Sequence, residues 1–280
     1  MKIVESPHEA YAHVDHWRRE GLSIGLVPTM GALHEGHFSL VRRSVEECDI
    51  TAASIFVNPT QFAPEEDLDR YPRTLEDDLA GLRELGCDLV FVPQPHLVYP
   101  KGFSTYVSPP AAAESLEGKL RPDHFRGVTT VVMKLFQILP ASIAYFGQKD
   151  FQQLAVIKKM VEDLNVPIRV EGCATIREED GLALSSRNRY LSAEERERAL
   201  CLSKALGQVH SLVSQGLLQV DRLEQEMHRI LEPATDSIDY ASIVDRETLE
   251  PIVKIDRPSV ALIAAFVGKT RLIDNRLIGE

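Results

Sequence analysis

Cysteine is scarce in this 280-residue chain: Cys48, Cys87, Cys173 and Cys201 stand far apart, with no CxxC pair. That excludes a disulfide framework and a zinc knuckle, and the four thiols read as buried or incidental in a reducing compartment. Long apolar runs are missing too, since none approaches the ~20 residues a membrane-spanning helix needs. The opening residues, Met1-Lys2-Ile3-Val4-Glu5-Ser6-Pro7, lack the apolar centre of a signal peptide, so a cytoplasmic location is expected. Positive charge is in short supply: 31 Lys and Arg stand against 42 Asp and Glu, a net charge of −11. Nucleic-acid binders need a basic face, so no such partner is expected. Internal repeats and low-complexity tracts are absent, the run Ala111-Ala112-Ala113 being too short to count.

What remains is an ordinary globular composition, 44% hydrophobic and 26% charged, enough for one large domain or two smaller ones. Ser6-Pro7 reads as the cap and first turn of a helix over 8–20. Apolar runs at 22–27, 50–57, 89–92, 142–146 and 168–174 read as strands. Helical spacing at about 37–48, 74–85, 128–139 and 150–164 separates them, and Phe103 to Val107 reads as a possible edge strand. Alternating strands and helices predict an α/β fold, a Rossmann-like doubly wound parallel sheet. After about Ile176 the pattern changes. Helices over 192–215 and 219–231 precede β-like runs at 238–244, 260–267 and 271–278, which predicts a second, smaller α+β domain. The expected division is 1–175 and 176–280.

The most informative stretch is Val27-Pro28-Thr29-Met30-Gly31-Ala32-Leu33-His34-Glu35-Gly36-His37, between the strand at 22–27 and the helix at 37–48. A strand, a glycine-containing turn and a helix start suit a phosphate, because the exposed N–H groups and dipole of a helix N-terminus attract anions. Two histidines at that point add donors for oxygens gaining charge. The glycines match neither GxGxxG nor GxxxxGK[ST], so dinucleotide and P-loop chemistry are not indicated. Asn58-Pro59-Thr60-Gln61-Phe62 follows the next strand, where ligands of open α/β sheets collect.

His34-Glu35-Gly36-His37 resembles the HxGH signature of the nucleotidylyltransferase superfamily. With Pro28-Thr29-Met30-Gly31 it is similar to the pantoate–β-alanine ligase family in particular. Further blocks resemble that family in its own order: Asn58 to Phe62, Tyr71-Pro72-Arg73, Gly118 to Pro122, His124 to Val128, Phe146 to Gln153, and Ser185-Ser186-Arg187-Asn188. Gln148 departs from it, standing where the family often has an acidic residue.

The resemblance implies ATP-dependent joining of pantoate to β-alanine through pantoyl adenylate, with release of AMP and pyrophosphate. By motif match, His34, His37, Lys149 and Arg187 are the candidate catalytic groups. They contact ATP together with Met30, Gly147, Asp150, Ser185 and Ser186. Gln61 and Gln153, with Met30 beside them, are implied to hold pantoate. A Mg2+ requirement is implied, with Asp77 or Asp78 as candidate contact, although an acidic first helical turn explains that pair equally well. Asp150 reads either as a ribose contact or as a helix cap. A homodimer is the family's usual state, and the smaller domain is expected to bring Ser185 to Arg187 over the nucleotide. Arg121, His124 and Arg126 lie in the loop-rich region without individual roles. Two other readings share HxGH: a different nucleotidylyltransferase making a stable nucleotide product, and a nucleotide-binding regulator without turnover.

Overall fold

The computed structural model describes residues 1–279 except 64, 65 and 67. The chain forms two compact units, Met1–Gln148 with Gln153–Ala174, and Lys149–Gln152 with Thr175–Glu280. Strands β1 (Lys2–Val4), β2 (Ile24–Thr29), β3 (Ile50–Ile55), β4 (Leu89–Phe91), β5 (Ile143–Gly147) and β6 (Arg169–Cys173) belong to the first unit. They pair in parallel in the order β1-β4-β3-β2-β5-β6. The helices run in chain order as α1 (Pro7–Arg19), α2 (Glu35–Glu47), α3 (Leu75–Glu84), α4 (Pro95–Val98), α5 (Glu117–Leu120), α6 (His124–Ile138) and α7 (Phe151–Asp163).

Strand residues alternate between two cores. Ile24, Leu26, Ala52, Leu89, Phe91, Ala144 and Phe146 pack with α1, α6 and α7. Val27, Ala53, Ile55, Val90 and Tyr145 pack with Leu40 and Val41 of α2 and Leu82 of α3. Burial on both faces is why these strands read as unbroken apolar runs. This is the Rossmann-like doubly wound sheet expected from the sequence. Its order reverses at β2, flanked by β3 on one side and β5 on the other, so the C-terminal ends of β2 and β5 mark the switch-point crevice.

In the second unit, α8 (Ala193–Ala199), α9 (Cys201–Ser214) and α10 (Val220–Leu231) lie with an antiparallel meander of β7 (Ser237–Asp245), β8 (Ser259–Val267) and β9 (Thr270–Ile278). Leu202, Leu206 and Val209 of α9 and Leu223, Met227 and Leu231 of α10 share one core with Ala261, Ile263 and Ala265 of β8. Ser192 and Glu195 form the capping box that starts α8, each side chain meeting the other's main-chain N–H at 3.2 and 2.7 Å.

Two expectations are corrected, and one strand was missed. The segment 103–107 is not an edge strand: its Val107 N–H donates to Thr130 Oγ1 at 3.0 Å and its C=O accepts from Thr129 Oγ1 at 2.8 Å, so α6 side chains take the bonds a strand would supply. The helix expected over 192–215 is two segments, because the Leu200 N–H turns back to Arg198 and Glu197, tightening the chain there. Strand β1 was not anticipated, being three residues at the sheet edge. Burial pushes the thiols of Cys87 and Cys201 up to about 12 and about 11, as inert structural cysteines require.

Candidate active site

The turn from β2 into α2 is held by side chains from elsewhere in the first unit. Gly31 and Ala32 both take left-handed backbone conformations, φ 82° and 51°, and a Cβ on Gly31 would press on Asp78 Oδ2 and Ile55 at 3.1 Å. Thr29 Oγ1 donates to Ser54 O at 2.7 Å and accepts from Gly31 N at 3.2 Å. Asp78, 3% exposed, accepts from Ala32 N at 2.9 Å and Leu33 N at 2.8 Å, while Thr74 Oγ1 donates to it at 3.1 Å. Its carboxylate therefore fixes the turn, a structural role for one of the two candidate metal contacts. Asp77, next to it on α3, faces solvent.

At the start of α2 the two histidines cap the helix reciprocally. His34 Nδ1 accepts from Gly36 N at 3.2 Å, and His37 Nδ1 accepts from His34 N at 3.4 Å. The rings lie 4.2 Å apart, centroid to centroid. A ring nitrogen that accepts carries no proton, so in each neutral imidazole the proton sits on Nε2. Each ring therefore holds an Nε2–H donor at a helix N-terminus, where the dipole already favours an anion. Glu35, in the same first turn, is ion-paired with Arg42, whose hydrogen bonds hold its carboxyl below the usual range.

Gln61 sits beside Met30, with its Nε2 3.1 Å from Met30 Sδ. Its Oε1 accepts from Asn58 Nδ2 at 3.0 Å, which leaves the amide presenting its NH2 end. Asn58 is itself clamped, its Oδ1 accepting from Tyr99 OH at 2.8 Å and Thr60 Oγ1 at 3.0 Å. Beneath this turn α6 approaches closely: a Cβ on Gly127 would lie 2.3 Å from Thr60 O. Buried His124 donates from Nδ1 to Gln61 O at 2.8 Å, and its Nε2 lies 3.3 Å from Arg121 Nη1. Arg121 pairs with Glu66 at 2.6 and 2.7 Å, and Arg126 lies over the Tyr106 ring at 3.8 Å.

Burial, with the Arg121 charge acting in the same direction, lowers the His124 pKa to about 4 from an ordinary 6.5. Unfolded chain therefore binds more protons between those pH values. His124's contribution to stability is complete above about pH 6.5 and falls by about 3 kcal/mol as pH drops toward 4. Denaturant unfolding between pH 7.5 and 4 should show this slope, and His124→Phe should flatten it. An equal slope in the variant would contradict the assignment.

Gly147 ends β5, and Gln153 is half-buried in the first turn of α7, both in the first unit. The remaining candidates pack in the second. Lys149 is half-buried, its Nζ 4.0 Å from Asp150 Oδ1, and Asp150 immediately precedes α7. Ser185 caps the short turn Ser186–Tyr190, its Oγ accepting from Arg187 N at 3.3 Å. Asn188 pins that turn through Ala183 O at 3.0 Å and Glu178 Oε1 at 3.3 Å. Sequence reasoning missed Asn58, Tyr99, Asp78 and His124 as supports. Asn58 carried the one legible signal, an Asn-Pro directly after a strand.

The family model described as pantoate-beta-alanine ligase matches residues 2–277. A pantothenate synthetase of Rhodopirellula baltica is 57% identical over 267 residues, covering 93% of this chain and 94% of its own. The crystal structure of pantothenate synthetase from Thermus thermophilus superposes with a TM-score of 0.94 at 43% identity, with 99% of each chain covered. A pantoate-beta-alanine ligase of Francisella tularensis, crystallised with beta-gamma ATP and beta-alanine, gives 0.83 at 34% identity, covering 99% of this chain and 97% of its own. With the parallel sheet and the capped histidine turn already in place, the chain belongs to the pantoate–β-alanine ligase family, as an enzyme that forms an amide bond.

Proposed function

We propose that the chain condenses pantoate with β-alanine in two steps driven by ATP. In the first, a pantoate carboxylate oxygen bonds to the α-phosphorus of ATP as the bond to the β-phosphate oxygen breaks, giving pantoyl adenylate and pyrophosphate. In the second, the β-alanine nitrogen bonds to the activated carbonyl carbon, the carbonyl–phosphate bond breaks, and AMP and pantothenate leave. The β-alanine ammonium loses one proton to expose its lone pair and a second as the amide forms, both passing to solvent.

The observation carrying this reading is the reciprocal histidine cap, which engages both Nδ1 atoms as acceptors and so leaves the ring protons on Nε2 at the N-terminus of α2. Donors fixed before reaction stabilise phosphate oxygens as charge builds, with no reorganisation at the barrier. Lys149 adds a point charge, and Arg187 with Ser185 and Ser186 can hold the departing pyrophosphate. Met30, Gly147 and Asp150 complete the nucleotide contacts. Gln61, whose NH2 group spends one N–H on Met30 Sδ and keeps the other, suits the oxygens of pantoate, and Gln153 serves beside it.

Mg2+ usually binds through one or two carboxylates plus substrate phosphates, and solvent-facing Asp77 fits that limited demand where Asp78 does not. Bound to the triphosphate, the ion would neutralise charge on the leaving pyrophosphate. No described helix is long and apolar enough to cross a membrane. A cytoplasmic homodimer is part of the proposal.

Purified chain given ATP, Mg2+ and pantoate, but no β-alanine, is expected to release pyrophosphate while retaining AMP as bound adenylate. Release of neither sinks the two-step reading. Gln61→Ala should raise the KM for pantoate by about tenfold, the worth of one substrate hydrogen bond, and leave the KM for ATP alone. A selective rise for ATP would contradict the role of Gln61.

A further inference from the structure

In the middle of β9, two adjacent polar side chains are buried, Asp274 at 3% and Asn275 at 6% exposure. Polar groups are buried only when their bonds are made elsewhere. Neighbouring residues of a strand point to opposite faces, so this step can serve two sides at once. On one side Asp274 takes a two-pronged bond from Arg177, 2.8 Å at each nitrogen. Arg177 also donates to Gly181 O at 3.0 Å and pairs across with Ala183, closing a turn whose chain continues directly into Ser185. On the other side Asn275 Nδ2 donates to the main-chain oxygen of Lys149 at 2.8 Å. Asp274 Oδ1 accepts from Asn275 N at 2.7 Å, tying the two arms together.

We propose that Asn275 is a positioning residue for adenylate formation. By holding the Lys149 carbonyl it fixes the turn Gln148–Asp150, and with it the direction of the Lys149 ammonium. Asp274 does the same, through Arg177, for the segment that leads to Ser185–Arg187. One step of β9 thus sets both cationic groups that the proposed function places on the triphosphate. The inference rests on that reading of Lys149.

Asn275→Leu keeps the side-chain shape and removes the donor. Pantoate-dependent pyrophosphate release should then fall by about 10- to 100-fold in kcat, the scale on which small displacements of a reacting group are felt. The KM for pantoate should stay within about twofold. A residue that acts chiefly through the Lys149 ammonium loses most of its effect once that side chain is gone. Adding Asn275→Leu to Lys149→Ala should therefore lower kcat by far less than Asn275→Leu does in the parent. A general structural defect would multiply the two losses and overturn the proposal, as would full activity of Asn275→Leu with Lys149→Ala inactive. Full activity of Lys149→Ala would instead remove the phosphate role itself. Circular dichroism and a melting curve accompany each variant, and Asn275→Ala repeats the cycle if leucine prevents folding.

Discussion

Replacing His37 with alanine is expected to slow adenylate formation by about 10²–10³-fold, the usual effect of removing one preorganised donor. The loss goes beyond one Nε2–H. His37 Nδ1 also accepts from His34 N, so the variant removes that acceptor from the His34 main chain at the helix start. The effect should fall on kcat for pyrophosphate release far more than on the KM for pantoate, since the donors strengthen as charge develops rather than on binding. His37→Gln, with an amide in reach of similar oxygens, should recover part of the rate. Normal turnover by His37→Ala would show that the phosphates are neutralised by other groups.

The second large effect is expected at Asp78, a residue with no proposed contact to substrate. Its carboxylate accepts from two consecutive main-chain N–H groups in a turn where Gly31 and Ala32 already hold left-handed conformations. Asp78→Ala leaves both N–H groups buried without their acceptor. Stability should fall by about 3 kcal/mol, in line with one to two unsatisfied buried donors. Activity should fall further than stability explains, because the same turn leads directly into His34. Asp78→Asn is the finer test, since one amide oxygen can replace only one of the two acceptors. It should retain the fold and lose most of the rate. An Asp78→Ala protein as stable and active as the parent would mean the turn holds its shape without help.

These two positions also show what the sequence made legible. The histidine pair could be read because cap, turn and strand lie within eleven consecutive residues, and local order there is set by local chemistry. The parallel sheet could be read for a similar reason. Strands buried on both faces are unbroken apolar runs, and the helices between them keep their own period. Asp78 could not be read. In the first turn of α3 an acidic residue already has a sufficient local explanation in the helix dipole. Its actual partners lie 46 and 45 residues earlier in the chain.

The same limit explains other misses. Asn275 and Lys149 are 126 residues apart, and nothing in either neighbourhood announces the other. The segment 103–107 has strand composition, but its hydrogen bonds were decided by two threonines of α6, 22 and 23 residues on. His124 looked like one of several loop cations. Burial made it a neutral donor under Gln61, a state that depends on neighbours rather than on residue type. Contacts at short range in the chain were within reach of pattern reasoning, and buried polar contacts at long range were not.

On the proposed function, this chain activates one substrate as an adenylate and passes it to an amine. The most direct test is release of AMP by the purified protein from ATP, Mg2+ and pantoate, measured with and without β-alanine. Free AMP and pantothenate in equal amounts, appearing only when β-alanine is present, is the predicted result. Free AMP in its absence, or a stable nucleotide product with no call for an amine, would contradict the claim.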